Sequence, residues 1–270
     1  MSAIRPAAVA GSFYPGDPSA LAAEVAAYLA EASSAAGARA PKAIIAPHAG
    51  YMYSGAIAGS IHSRLSPLRG IVRRVVLVGP AHRVYVSGAA VPATHAFASP
   101  LGTVALDLEA IDALRKLPFV EVSERAHALE HSLEVHLPFL QSVLGTFTLV
   151  PVVVGDADPR QMALLFDTVW GGKETVIVVS SDLSHYHSYD SARGRDRHTA
   201  RAILNLEARL APEEACGAAP INGLLETARK RHLAAELVDL RNSGDTAGGL
   251  DRVVGYGAFA FTEPAAAHAR

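Results

Sequence analysis

One cysteine, one tryptophan and three methionines are spread over 270 residues. A single cysteine, Cys216, excludes an intrachain disulfide and suits a reducing compartment. An excess of one charge is also missing. Lysine plus arginine number 24 against 26 acidic residues, a formal net charge of -2, so electrostatics favours neither nucleic acid nor a membrane surface as partner. No apolar run approaches the length needed to span a bilayer, and Met1-Ser2-Ala3-Ile4-Arg5-Pro6 lacks the apolar core of a signal peptide. The expectation is a cytoplasmic protein with a small-molecule partner. No internal repeat or low-complexity linker divides the chain, which therefore reads as one domain over residues 1–270.

What the chain does have is a set of short, nearly all-apolar runs that stop abruptly at polar residues. Ala43-Ile44-Ile45-Ala46 runs into Pro47-His48-Ala49-Gly50-Tyr51, and Val75-Val76-Leu77-Val78 into Gly79-Pro80-Ala81-His82. Thr175-Val176-Ile177-Val178-Val179 empties into Ser180-Ser181-Asp182-Leu183-Ser184-His185. Leu149–Val154 and Val253–Phe261 complete the expected strands, and Ser33–Pro41 reads as a connection. Helices are expected from Pro18, over Ser54–Leu65, Val104–Leu117 and Leu133–Leu144, and from Pro159 to Trp170. Three more are expected over Ser191–Leu206, Pro212–Ala218 and Asn222–Leu233. Asp17-Pro18 and Asp158-Pro159 combine an N-cap with a proline at the first helical position, and Asp107 is a further cap. Alternating buried strands and helices imply an α/β fold, a mainly parallel or mixed sheet sandwiched by helices. The glycines around Asn242-Ser243-Gly244-Asp245 and Gly248-Gly249 read as turns, since no helix clearly follows them.

In an open parallel sheet, ligands bind beyond the carboxyl ends of the strands, so His48, His82 and the Asp182/His185 pair are expected at one edge. Two neutral imidazoles and one anionic group suffice for an open transition-metal site. Taken singly, each histidine is as well explained by a backbone hydrogen bond in a turn. Cys216 is by default a small buried hydrophobe, but as a thiolate it could be the anionic ligand. Asp182 could orient a ligand histidine or merely cap the next segment, and His185 could act as a general base. His131 and Glu134, in Glu130-His131-Ser132-Leu133-Glu134-Val135-His136, are expected as pocket walls, as is Tyr51. A serine or thiol nucleophile has no local support, because Ser184 lacks a glycine-flanked elbow.

Several motifs taken together resemble the Memo-like family, whose prokaryotic members are called AmmeMemoRadiSam system protein B. They are Arg5–Pro15, Ala46–Tyr51 with Tyr53-Ser54-Gly55, Gly79–His82, Glu130–Phe139, Ser180–Tyr186, Cys216-Gly217 and Val254–Gly257. That family is similar in fold to class III extradiol dioxygenases, the LigB-like non-haem iron enzymes. The resemblance implies that His48, His82 and Cys216 are metal ligands, with Asp182 and His185 in the same pocket and iron or copper as the cofactor. It implies a metal-dependent oxidoreductase acting on a small substrate or dioxygen. The alternative it leaves open is a binding module that uses the ancestral pocket for a peptide or protein. It also implies a functional link to Ammecr-like and radical-SAM proteins. The dioxygenases use two histidines and a glutamate, so the cysteine departs from their pattern.

Overall fold

The computed structural model describes residues 3–32 and 39–264. In chain order it contains β1 (Ile4–Arg5), α1 (Pro18–Glu31), β2 (Ala43–Ala46), α2 (Tyr51–His62), β3 (Arg74–Pro80) and β4 (Ala89–Val91). There follow β5 (Ala96–Ser99), β6 (Gly102–Ala105), α3 (Leu108–Leu114), β7 (Val120–Val122), α4 (Glu124–Ala128), α5 (Leu137–Leu144), β8 (Thr148–Val154) and α6 (Pro159–Val169). The chain ends with β9 (Thr175–Ser180), β10 (His185–His187), α7 (Tyr189–Leu204), α8 (Ala218–Lys230), β11 (Ala234–Asn242) and β12 (Val253–Thr262).

The principal sheet runs in the order β10-β12-β2-β9-β3-β8-β4-β7, with β11 paired to β12. Its centre, β2-β9-β3-β8, is wholly parallel, while β12 joins β2 antiparallel and β4 joins β8 antiparallel. Every residue of β2 and β9 is buried, so both faces of the sheet are covered, as parallel strands require. Helices α1, α2 and α5 pack together as one group, and α3, α6 and α8 as another. Register aligns the strand ends: Ala46 lies opposite Ser180, and Val78 opposite Val179. The residues just beyond those positions therefore emerge side by side.

The expected caps form. Asp17, Asp107 and Asp158 accept from the amides of Ala20, Ala110 and Gln161, and Asp158 completes a capping box. Pro138 sits in the first turn of α5, where its missing N–H leaves no bond unmade. Three expectations need correction. Val104 lies in β6, paired with Phe97, and the helix starts only at Leu108. Pro212–Ala218 is not a helix but a string of turns, and α8 begins at Ala218 rather than Asn222. The helix expected from Leu133 begins only at Leu137, after a 3₁₀ turn over Glu134–His136, while β11 pairs with β12 in a stretch where no element was expected. Asn242 caps a turn at Ser243–Asp245, the turn chemistry expected there. Most of the connection expected over Ser33–Pro41 lies outside the described residues. Among the described residues, no helix is long and apolar enough to cross a membrane.

Two histidines are part of this core. His62 is fully buried between Phe139 and His136, with Nδ1 2.7 Å from the Ala58 carbonyl. His127 is buried with Nε2 3.0 Å from the Ala90 carbonyl. Burial lowers both to about 4, so each enters the fold neutral. The unfolded chain takes up these protons near pH 6.5, so the stability they contribute is complete above that pH and is lost as pH falls toward 4. Stability against thermal unfolding should therefore fall, as pH drops through this window, by roughly 1.4 kcal/mol per pH unit for each histidine. His62→Phe should flatten the slope; an unchanged slope would show that His62 does not couple protonation to folding.

Candidate metal centre

Three imidazoles converge beyond the strand ends. The ligand atoms of His48, His82 and His131 all lie within 4.8 Å of one another. Ring centroids are 5.1 Å apart for His48 and His82, 5.5 Å for His48 and His131, and 4.6 Å for His82 and His131. All three line a cleft of about 1100 Å³, whose other walls include Phe13, Tyr53, Asp182, His185 and Cys216. Burial first, and then the neighbouring histidines, holds His48 well below the ordinary imidazole range, and burial takes His131 to about 4. Those two imidazoles are thus neutral at physiological pH, the form that carries a lone pair for a metal.

Cys216 reaches the same place from the turn before α8. Its Sγ lies 3.3 Å from His48 Nε2 and accepts from the Asp182 N–H at 3.3 Å. The approach depends on the next residue: a Cβ on Gly217 would sit 2.6 Å from the Ser180 carbonyl oxygen, so only glycine lets this turn lie against β9. Burial, and then Asp182, push the thiol up to about 12. A nitrogen and a sulfur bound to one tetrahedral ion stand about 3.5 Å apart, given bonds of roughly 2.0 and 2.3 Å. The spacing of His48 Nε2 and Cys216 Sγ fits that requirement.

Asp182 accepts from the His48 amide at 2.8 Å, and burial raises its carboxyl to about 7 against that hydrogen bond. His185 is partly buried, and burial lowers its pKa. Tyr186, next along the cleft wall, holds a left-handed backbone at φ 60° and lies under the Arg252 guanidinium.

The histidines are oriented from behind. Glu130 Oε1 lies 2.9 Å from His82 Nδ1 and Oε2 accepts from the His82 amide at 2.6 Å. Burial alone would raise Glu130, but the bonds from His82 and Ser132 bring it to about 2. A carboxylate can only accept, so His82 carries a proton on Nδ1, which leaves Nε2 facing away from Glu130. Glu130 went unassigned from sequence although it stands beside His131; only contact across 48 positions gives it a role.

The structure thus brings together His48, His82, Cys216, Asp182 and His185 around the cleft, with His131 in its wall as expected and its ring grouped with those of His48 and His82. Tyr51 and Glu134, expected as pocket residues, are not among the residues that line this cleft. Tyr51 is buried against Tyr14 and Phe139, with its hydroxyl donating to the Val135 carbonyl at 2.7 Å. Glu134 is fully buried and accepts from Arg5 at 2.6 Å, from the Tyr14 hydroxyl at 2.6 Å and from the amides of Ala8 and Val9. Helical spacing put Glu134 on the face of His131, but a three-residue 3₁₀ turn, Glu134–His136, breaks that face.

Fold and donor cluster define a mixed α/β protein with a histidine-rich centre at its sheet edge. The chain belongs to the Memo-like protein family, whose model matches residues 5–260. It is similar to a MEMO1 family protein of Archaeoglobus fulgidus, 34% identical over 94% of this chain and 97% of the relative. A MEMO1 family protein of Ignicoccus hospitalis is 35% identical over 97% and 99%, respectively. Among solved structures, an uncharacterized protein of Escherichia coli matches 81% of this chain and 99% of its own at 16% identity, with a TM-score of 0.48, too distant to carry an argument.

Removing one partner of the buried Arg5–Glu134 pair leaves an uncompensated charge, which costs about 3–5 kcal/mol. Glu134→Ala should lower the urea midpoint correspondingly. A loss below about 1 kcal/mol would mean that the pair is not an anchor.

Proposed function

We propose that the cleft holds a redox-active transition-metal ion, iron or copper, on His48, His82 and Cys216, with His131 beside it. The observation that carries this reading is the convergence of His48, His82 and His131 within 4.8 Å in an open cleft, with Cys216 Sγ 3.3 Å from His48 Nε2. Neutral imidazoles with one thiolate suit borderline and soft metals. A bound cation would deprotonate the Cys216 thiol, which is otherwise neutral. When bound, the ion supplies Lewis acidity and one-electron chemistry toward a small substrate or dioxygen.

The protein's own contribution is to orient and to move protons. Asp182, with its carboxyl near 7, can hold or release a proton beside the donors, and His185 can take one from a bound molecule at the cleft wall. This makes the protein a metal-dependent, dioxygenase-like oxidoreductase, with Asp182 and His185 as its catalytic residues. A second reading draws on the size of the cleft. At about 1100 Å³ it exceeds the roughly 300–1000 Å³ of small-molecule pockets, which favours a binding module for a peptide or protein segment.

Metal analysis of protein purified without a chelating column is expected to find near-stoichiometric iron or copper, strongly reduced in His48→Ala and Cys216→Ala. Negligible metal in all three would sink the metal reading. Oxygen consumption with catechol probes that disappears in His185→Ala would favour the oxidoreductase over the binding module; no turnover in the wild type would favour the module.

A further inference from the structure

Behind His48 stands Ser180, the last residue of β9 and fully buried. Its hydroxyl has three partners: the Ser132 carbonyl at 2.6 Å, His48 Nδ1 at 2.7 Å and His136 Nε2 at 3.0 Å. A hydroxyl has one proton to donate and two lone pairs to accept with. The Ser132 carbonyl can only accept, so it takes the proton. Turning the hydroxyl elsewhere would set two oxygen lone pairs against each other at 2.6 Å in a buried site. Both imidazole contacts must then be N–H donors to Ser180.

We infer that Ser180 is a positioning residue that locks His48 in its Nδ1–H tautomer and so presents a bare Nε2 lone pair toward Cys216 and the cleft. The inference rests on the metal reading above for its purpose, but not for its geometry. Ser180 gives His48 what Glu130 gives His82, an acceptor at Nδ1, without adding a negative charge beside the thiol. The lock is held from behind by the Ser132 carbonyl, so it does not depend on His136. Without the Ser180 oxygen, a proton on Nδ1 would be buried with no acceptor, whereas Nε2–H could donate to Cys216 Sγ, 3.3 Å away. The proton would therefore move to the atom that has to bind the ion.

The test reads imidazole nitrogens by ¹⁵N NMR in metal-free, ¹⁵N-labelled protein, with the His48 signals assigned by their loss in His48→Gln. The wild type is expected to carry the His48 proton on Nδ1, Ser180→Ala to move it to Nε2, and His136→Phe to leave it on Nδ1. Thermal unfolding identifies any variant that fails to fold, and His136→Phe with the wild type alone still tests the lock. Added iron(II) or copper should bind Ser180→Ala about 10–100-fold more weakly than the wild type. A wild-type proton on Nε2, or a tautomer unchanged in a folded Ser180→Ala, overturns the assignment. A protein that takes up no metal yet holds the Nδ1–H form overturns the metal reading and supports the lock.

Discussion

The buried ion pair of Arg5 and Glu134 is the contact on which the site depends. Both side chains are almost wholly removed from water, and such a pair persists only when its remaining hydrogen-bonding capacity is also met. Here it is. Arg5 donates to the carbonyls of His127 and Glu130 as well as to Glu134, and Glu134 accepts in addition from Tyr14 and from two amides of the amino-terminal segment. The pair therefore ties β1 and the loop after it to residues 127–134. That short stretch supplies Glu130 behind His82, His131 beside His48 and His82, and the Ser132 carbonyl behind Ser180. A charge cluster with no place in the cleft thus holds the residues that orient the cleft's histidines.

The sheet provides the other half of the arrangement. Parallel strands β2, β9 and β3 end level, so His48, Asp182 and His82 emerge as neighbours although they are far apart in the chain. Burial there serves two purposes. It strips water from His48 and His131 and keeps them neutral, and it raises the Asp182 carboxyl to about 7 and the Cys216 thiol to about 12. Behind His82 and His48, the Glu130 carboxylate and the Ser180 hydroxyl are both hydrogen-bonded, so their burial is offset.

Much of the architecture was legible in the chain. The apolar runs at Ala43, Val75, Leu149 and Thr175 are strands because only a doubly covered sheet tolerates such continuous burial. The Asp-Pro pairs start helices because their chemistry is local. Legibility failed where a segment's identity depends on what lies across from it. β11 is a strand because β12 offers a partner, and Val104 leaves the helix because β5 pairs with it. Tyr51 was read as a wall from its distance to His48 in sequence, but helix α2 turns it into the apolar cluster of Tyr14 and Phe139, while Tyr53 faces the cleft.

His48, His82, Asp182 and His185 could be marked from sequence because each follows a strand, and a parallel sheet gathers its strand ends at one edge. That rule of topology needs no coordinates. The parts played by Glu130, Ser132, Ser180 and the Arg5–Glu134 pair have no local signature, since each is defined by a partner dozens of positions away. The grouping of His131 with His48 and His82, and Cys216 as the neighbour of His48 Nε2, were decided by the tertiary structure for the same reason. Spacing along a chain determines which residues share a strand or a helix face, but lone pairs and protons meet only where separate elements pack.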